Sequence, residues 1–263
     1  MLISEEVFLY RNRDRKTQAA RSRLRLLVVG VGALGCPAAW TLVEAGVGRV
    51  TLVDPDVVEL SNLQRQVLFA EEDLGRPKAQ VAAARLATVG SPTEIVALCH
   101  RVDPGNASAL VAEHDFVIDA TDDRATKLLL NRAAVGERRR LCYAAVARAS
   151  GQLMGIEPGR SACLECVFPP APGESSVPSG CDELGIVAPV AGTIGSLAAL
   201  LALAAAEGAA AWRPGSMIFF ELGRRRWRSI AFPRRRECPC CGGAGRQHDE
   251  RTRRQESCPS SRV

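Results

Sequence analysis

Aromatic residues are scarce, 5% of 263 positions, and the net charge is only +5. Nucleic-acid modules interleave basic runs with aromatics that stack on bases. The arginine-rich runs at 224–228 and 234–236 have little of this and match no recognition module, so no nucleic-acid partner is expected. A solvated face or an acidic protein partner accounts for them equally well. The opening Met1-Leu2-Ile3-Ser4-Glu5-Glu6 has no basic n-region, and no apolar stretch follows that ends in a small-residue cleavage site. A cytoplasmic location is therefore expected. Residues 186–206 form a long uncharged run in which Ala, Gly, Ser and Thr together outnumber the large aliphatics that favour insertion. Ala and Gly dominate it, and Asp182, Glu183 and Glu207 close it. A buried helix, rather than a membrane span, is the expected outcome.

What is present is a large apolar content, 47%, enough for one sizeable core. We read a basic, helical N-terminal arm over 1–22, one domain over 23–241, and a polar tail over 242–263 expected to be disordered. The Pro-, Gly- and Ser-rich stretch at 168–181 reads as a mobile loop. There are also ten cysteines. In a reducing compartment such clusters serve as metal ligands or reactive thiols more often than as disulfides.

The stretch around which the chain is organised runs from Leu24 to Arg65. An apolar strand leads into Gly30-Val31-Gly32-Ala33-Leu34-Gly35, a helix follows, and a second strand ends in Asp54. A G-x-G-x-x-G in that context, with an acid about twenty residues on, reads as a nucleotide site. Gly30 permits the reversal, Gly32 lets the backbone approach a phosphate, and Gly35 lets helix and strand pack closely. Asp54 is suited to hydrogen-bond a ribose. Lys78, just after Pro77 at a predicted helix start, opposes the helix dipole and is better explained as a partner for an anion.

Strands and helices alternate through about residue 146, which predicts a parallel, doubly wound sheet with ligands beyond the carboxyl ends of its strands. Asp54 and Asp122 then share one rim. The pattern changes to antiparallel hairpins over 152–157 and 217–230. Two pairs, Cys163/Cys166 and Cys238/Cys241, each present two thiolates in a C-x-x-C turn and together make the tetrahedral set structural zinc prefers. A redox pair or unmetallated thiols are the alternative. Cys240 is an extra thiol with unfavourable chelate spacing.

The segment Ser61-Asn62-Leu63-Gln64-Arg65-Gln66, then Arg76-Pro77-Lys78 and Asp119-Ala120-Thr121-Asp122-Asp123, resembles the ThiF/MoeB/HesA family, bacterial relatives of ubiquitin-activating enzymes. The likeness runs from about Leu24 to Cys241. It implies a Rossmann-like α/β fold with an antiparallel C-terminal extension and a zinc site. It also implies ATP-dependent adenylation of the C-terminal Gly-Gly carboxylate of a small ubiquitin-like sulfur carrier protein, within a homodimer. A sulfurtransferase or cysteine desulfurase would be a further partner, and the sulfurtransferase domain some relatives append is not expected within these residues.

By the same resemblance Gly30, Gly32, Ala33, Gly35, Asp54, Ser61, Asn62, Leu63, Gln64, Arg65, Lys78, Asp122 and Asp123 form the nucleotide site. Arg65 and Lys78 would draw charge from the phosphates, Asn62 would help hold them, and Asp122 would carry Mg²⁺. Cys181 matches a cysteine that some members use for a covalent carrier intermediate. Three departures stand out: Ala33 replaces a glycine, Asp123 replaces an asparagine, and Arg11-Asn12-Arg13-Asp14 only loosely matches the arginine motif that reaches a partner subunit. The rivals are an NAD-dependent oxidoreductase, which leaves Arg65, Lys78 and the paired cysteines unexplained, and a non-catalytic or peptide-modifying relative of the same fold.

Overall fold

A computed structural model of the chain describes residues 15–169 and 185–242. The arginine motif at 11–14, Cys181 and all but the first residue of the expected tail lie outside them. A short helix α1 (Arg15–Arg21) precedes β1 (Arg25–Val29), followed by α2 (Gly35–Glu44), β2 (Arg49–Val53), α3 (Lys78–Ala87), β3 (Glu94–Leu98), α4 (Ala107–Ala112) and β4 (Phe116–Asp119). Then come α5 (Arg124–Gly136), β5 (Arg140–Ala147), β6 (Ser150–Ile156), the single turn α6 (Leu164–Val167), α7 (Ala188–Glu207), β7 (Ser216–Glu221) and β8 (Arg226–Ala231).

The strands make one sheet in the order β3-β2-β1-β4-β5-β6-β7-β8. The first five are parallel and the last three antiparallel, so the switch of pattern expected after residue 146 falls at β5–β6. Strands β1 and β4 are buried on both faces, which is why Leu26-Leu27-Val28-Val29 and Phe116-Val117-Ile118 read as continuous apolar runs rather than alternating ones. Their register aligns Val29 with Val53 on one side and Asp119 on the other, so the residues that follow these strands open on one rim.

Helix α7 is long and apolar enough to cross a bilayer, with mean hydropathy 1.8, yet 56% of that window is buried inside the protein. It packs on α2, β5 and β6. Small residues make this possible: a Cβ at Gly195 would collide with the Leu34 backbone and the Pro37 ring. The helix is not buried all round, because Leu200 remains 51% exposed. Pro77 sits one residue earlier than expected, capping α3 rather than occupying its first turn, and Lys78 is the first helical residue.

His114 ties α4 to the sheet. Its Nδ1–H donates to the Leu110 carbonyl at 2.6 Å, which leaves Nε2 to accept from the Thr51 hydroxyl at 2.7 Å, the neutral tautomer. Burial holds its pKa below the ordinary value, Arg25 and Arg49 add to this, and Glu113 and the Leu110 carbonyl oppose it. A group whose folded-state pKa is depressed contributes stability that is complete above the unfolded-state pKa and is lost as pH falls through the folded value. Denaturant unfolding from about pH 7 down to about pH 5 should therefore show a stability loss in the wild type of at most about 1.4 kcal/mol per pH unit that His114→Gln lacks. Parallel profiles would remove His114 from this role.

Candidate active site and cysteine cluster

A cavity of about 200 Å³ opens at the carboxyl ends of β1, β2, β4 and β5. Its wall includes Gly30, Gly32 and Ala33 from the glycine turn, Asp54 after β2, Arg65, Lys78, and Asp122 and Asp123 after β4. Residues far apart in sequence meet here because each follows a strand or caps a helix on the same rim. Gly30 adopts φ +87°, and a Cβ there would lie 2.8 Å from the Ala120 carbonyl oxygen. Among the described residues the backbone N–H groups of Gly32, Ala33 and Leu34 donate to no other group, and they stand at the N-terminus of α2. Free amides grouped at a helix N-terminus are suited to receive an anion.

Asp54 is 5% exposed, and its two oxygens accept the amides of Val31 at 2.6 Å and Asp56 at 2.9 Å. Burial pushes its carboxyl above the ordinary range, opposed by those two amides and by Lys78. Each oxygen retains a lone pair for a ligand hydroxyl. Backbone pairing of 56–58 with 75–78 brings Lys78 beside it: Val58 N–H donates to Arg76, Gly75 to Val58 and Lys78 to Asp56. The Lys78 ammonium, 7% exposed, lies 3.2 Å from Asp56 Oδ2.

The 61–66 segment folds on Asn62, whose carbonyl accepts the amides of Arg65 and Gln66. Arg65 Nη1 donates to the Ser61 carbonyl at 2.8 Å. Buried oxygens Asn62 Oδ1 and Gln66 Oε1 have no partner among the described residues, so each has capacity left for a bound molecule or solvent. Ser61, Asn62, Leu63, Gln64 and Gly35 do not line the cavity; Gly35 is there for packing, since a Cβ would strike the Gly30 carbonyl.

Asp123 is occupied as the N-cap of α5, accepting the Thr126 amide and hydroxyl, both at 2.7 Å. Burial acts to raise its pKa, but those bonds outweigh it and hold the carboxyl below the usual range. An acid in place of the usual asparagine thus has a structural use in starting a helix. Sequence reasoning passed over Asp56, Gln66, His100, Arg101 and Lys127, all on the cavity wall. Lys127 was findable by the argument used for Lys78, being a lysine in a first helical turn. It lies 3.2 Å from the fully buried Asp119, a pair in which losing one partner costs about 3–5 kcal/mol.

Away from the cavity wall, in the core cluster that also holds Leu130, Ala133 and Ala134 of α5, Cys163, Cys166, Cys238 and Cys241 bring their sulfurs within 4.8 Å of one another. Individual separations are 3.5 Å for Cys163–Cys238, 3.4 Å for Cys166–Cys241 and 4.0 Å for Cys163–Cys166. All four are buried and none is disulfide-bonded. A tetrahedral zinc with bonds of about 2.3 Å sets sulfurs roughly 3.8 Å apart, so the set fits a structural metal. Cys240 stays outside it, its sulfur 3.2 Å from Asn131 Nδ2. Asn131 also accepts the Leu164 amide at 2.8 Å, and Arg132 grips buried Glu165 at 2.8 Å, so α5 clamps the first C-x-x-C turn. We expect one bound zinc per chain by elemental analysis, lost with unfolding in a Cys163→Ser, Cys238→Ser variant. Apparent binding energies of about 10–16 kcal/mol rival the whole stability of a domain. Metal-free, fully stable wild-type protein would contradict this.

The ThiF family model matches residues 5–240, and the chain belongs to that family. It is 38% identical over 222 residues to the sulfur carrier protein ThiS adenylyltransferase of Escherichia coli strain K12, spanning 84% of this chain and 86% of that one. It is 35% identical over 243 residues to the sulfur carrier protein adenylyltransferase of Thermus thermophilus, spanning 90% and 87%. The adenylyltransferase and sulfurtransferase MOCS3 of Sus scrofa is 41% identical over 218 residues, and the chain spans about half (48%) of its length. In fold it resembles the crystal structure of E. coli MccB, with TM-score 0.77 at 20% identity over 92% of this chain and 74% of that one.

Proposed function

We propose that this chain activates the C-terminal Gly-Gly carboxylate of a small ubiquitin-like sulfur carrier protein, consuming ATP and releasing pyrophosphate. The observation that carries the reading is one cavity in which the glycine turn, Asp54, Arg65, Lys78 and Asp122 converge, in a chain similar over most of its length to adenylyltransferases of such carriers.

The carrier's carboxylate is already ionised at neutral pH, so no general base is needed. One of its oxygens attacks the α-phosphorus of ATP, the α–β anhydride bond breaks, and pyrophosphate leaves with the electron pair. The protein's work is alignment and charge stabilisation. The free amides at 32–34 receive phosphate oxygens, Asp54 accepts from the ribose, and Arg65 and Lys78 take up charge that moves onto the leaving pyrophosphate. Lys78 must turn from Asp56, a partner that is largely exposed, so the exchange costs little. Mg²⁺, a hard cation that prefers oxygen, fits the carboxylate of Asp122 and would add positive charge at the phosphates. Zinc fits the four thiols and would hold the end of the domain to the 163–166 turn.

Lys78→Ala and Arg65→Ala should each cut carrier-dependent ATP–pyrophosphate exchange about a hundredfold or more with the far-ultraviolet dichroism unchanged. Near-normal exchange in either variant would exclude this mechanism. We propose that Cys181 serves sulfur transfer after activation, in which case Cys181→Ala keeps exchange but never forms a thiol-cleavable carrier adduct. A cytoplasmic homodimer is the working form we infer, supported by the family likeness. Light scattering that finds a fully active monomer would end that part of the reading.

A further inference from the structure

The β4 side of the cavity holds a pair that the proposed chemistry leaves unused. Lys127 occupies the fourth position of α5, where a cation opposes the helix dipole, and it is 8% exposed. Solvation does not explain a lysine there. Its ammonium lies 3.2 Å from Asp119 Oδ1 and 2.8 Å from the Ala144 carbonyl on β5, with the Tyr143 ring centre 4.9 Å away. The same Asp119 oxygen accepts the Thr121 amide at 3.1 Å and the Thr121 hydroxyl at 2.7 Å. At the other end of the turn, Asp123 caps α5 and its carbonyl accepts the Lys127 amide at 3.1 Å.

Residues 119–127 therefore form a clasp closed at both ends. The strand end, the turn and the first turn of α5 meet at one buried ion pair, and the Ala144 contact fastens that pair to the neighbouring strand. Exposed Asp122 stands at the apex, on the cavity wall. Two of the three ammonium protons are committed and an aromatic ring covers the group, so Lys127 is placed to hold the turn rather than to bind phosphate.

We propose that Lys127 is a positioning residue for the divalent cation: with Asp119 it holds the 121–123 turn so that the Asp122 carboxylate is presented to the nucleotide's metal. This rests on the reading of Asp122 as the cation's ligand. Partners one layer behind a metal ligand set its orientation, and their loss weakens metal binding even though they never touch the ion.

The test is Mn²⁺ titration by electron paramagnetic resonance in the presence of ATP, together with ATP binding measured without divalent cation. Wild type, Lys127→Met and Lys127→Arg are compared. Lys127→Met should weaken Mn²⁺ binding about 10–100-fold while cation-free ATP binding stays within about twofold, and Lys127→Arg should recover most of the loss. Because one partner of a buried pair is removed, an Asp119→Asn, Lys127→Met double variant, with neither charge, provides a second folded test, and the same weakening is expected of it. A folded variant that binds Mn²⁺ as the wild type does overturns the role of Lys127. Equal weakening of cation-free ATP binding does so too, being the mark of a general structural loss. Wild-type protein with no ATP-dependent Mn²⁺ site overturns instead the reading of Asp122 and of the site around it.

Discussion

No side chain fits between Gly30 and the backbone at the end of β4. A Cβ on Gly30 would press on the Ala120 carbonyl, and one on Gly35 would strike Gly30 itself. This exclusion lets β1 pass directly into α2 while β4 runs alongside, and it keeps the two strand ends in register. The Gly30 amide donates to Val53 at 2.8 Å and the Ala120 amide to Val29 at 2.9 Å, so the last residues of β2, β1 and β4 are locked together. Asp54, the glycine turn and the 121–123 turn then have one possible common neighbour, the cavity between them. A side chain at either glycine would separate these groups before it touched any ligand.

Charge at that cavity is arranged as two pairs that differ from each other in burial. Lys78 is buried and its partner Asp56 is exposed, so the lysine can be diverted to a ligand at small cost. Lys127 and Asp119 are both buried, so that pair is permanent and serves as framework. The same residue types at comparable distances thus do different work, and solvent access decides which. Asp123 is settled by the cap it makes, which leaves Asp122 as the exposed carboxylate of the turn.

The antiparallel half joins the parallel half through the β5–β6 ladder and is braced a second time by α5. One end of that helix is fixed at the rim by Asp123 and Lys127, and further along Asn131 and Arg132 hold the backbone and the buried Glu165 of the 163–166 turn. The cysteine cluster joins that turn to residues 238–241. A single helix therefore links the rim of the cavity to the thiol cluster, and the two stand apart in one core.

The sequence by itself determined the strand–turn–helix core, because glycine spacing, apolar runs and an acid at a strand end are local properties. It likewise marked two C-x-x-C turns as candidate ligand pairs and set Cys240 apart by its spacing, while the gathering of all four thiols at one point is a tertiary result. Lys78 was legible because a lysine at a helix start needs a reason. Only the tertiary structure decided which neighbours each group meets. Lys127 shares with Lys78 a place in a first helical turn, but its partners are known only once β5 supplies the Ala144 carbonyl and β4 supplies Asp119; Asp123 looks like a charge aimed at the phosphates until α5 claims it as a cap. Ser61, Leu63 and Gln64 belong to the most recognisable motif yet stand off the cavity wall, because the turn around Asn62 sends only Arg65 and Gln66 toward it. Local pattern specifies which elements form, whereas contacts between residues distant in the chain depend on how those elements pack, and packing is where the burial that separates a mobile charge from a fixed one is set.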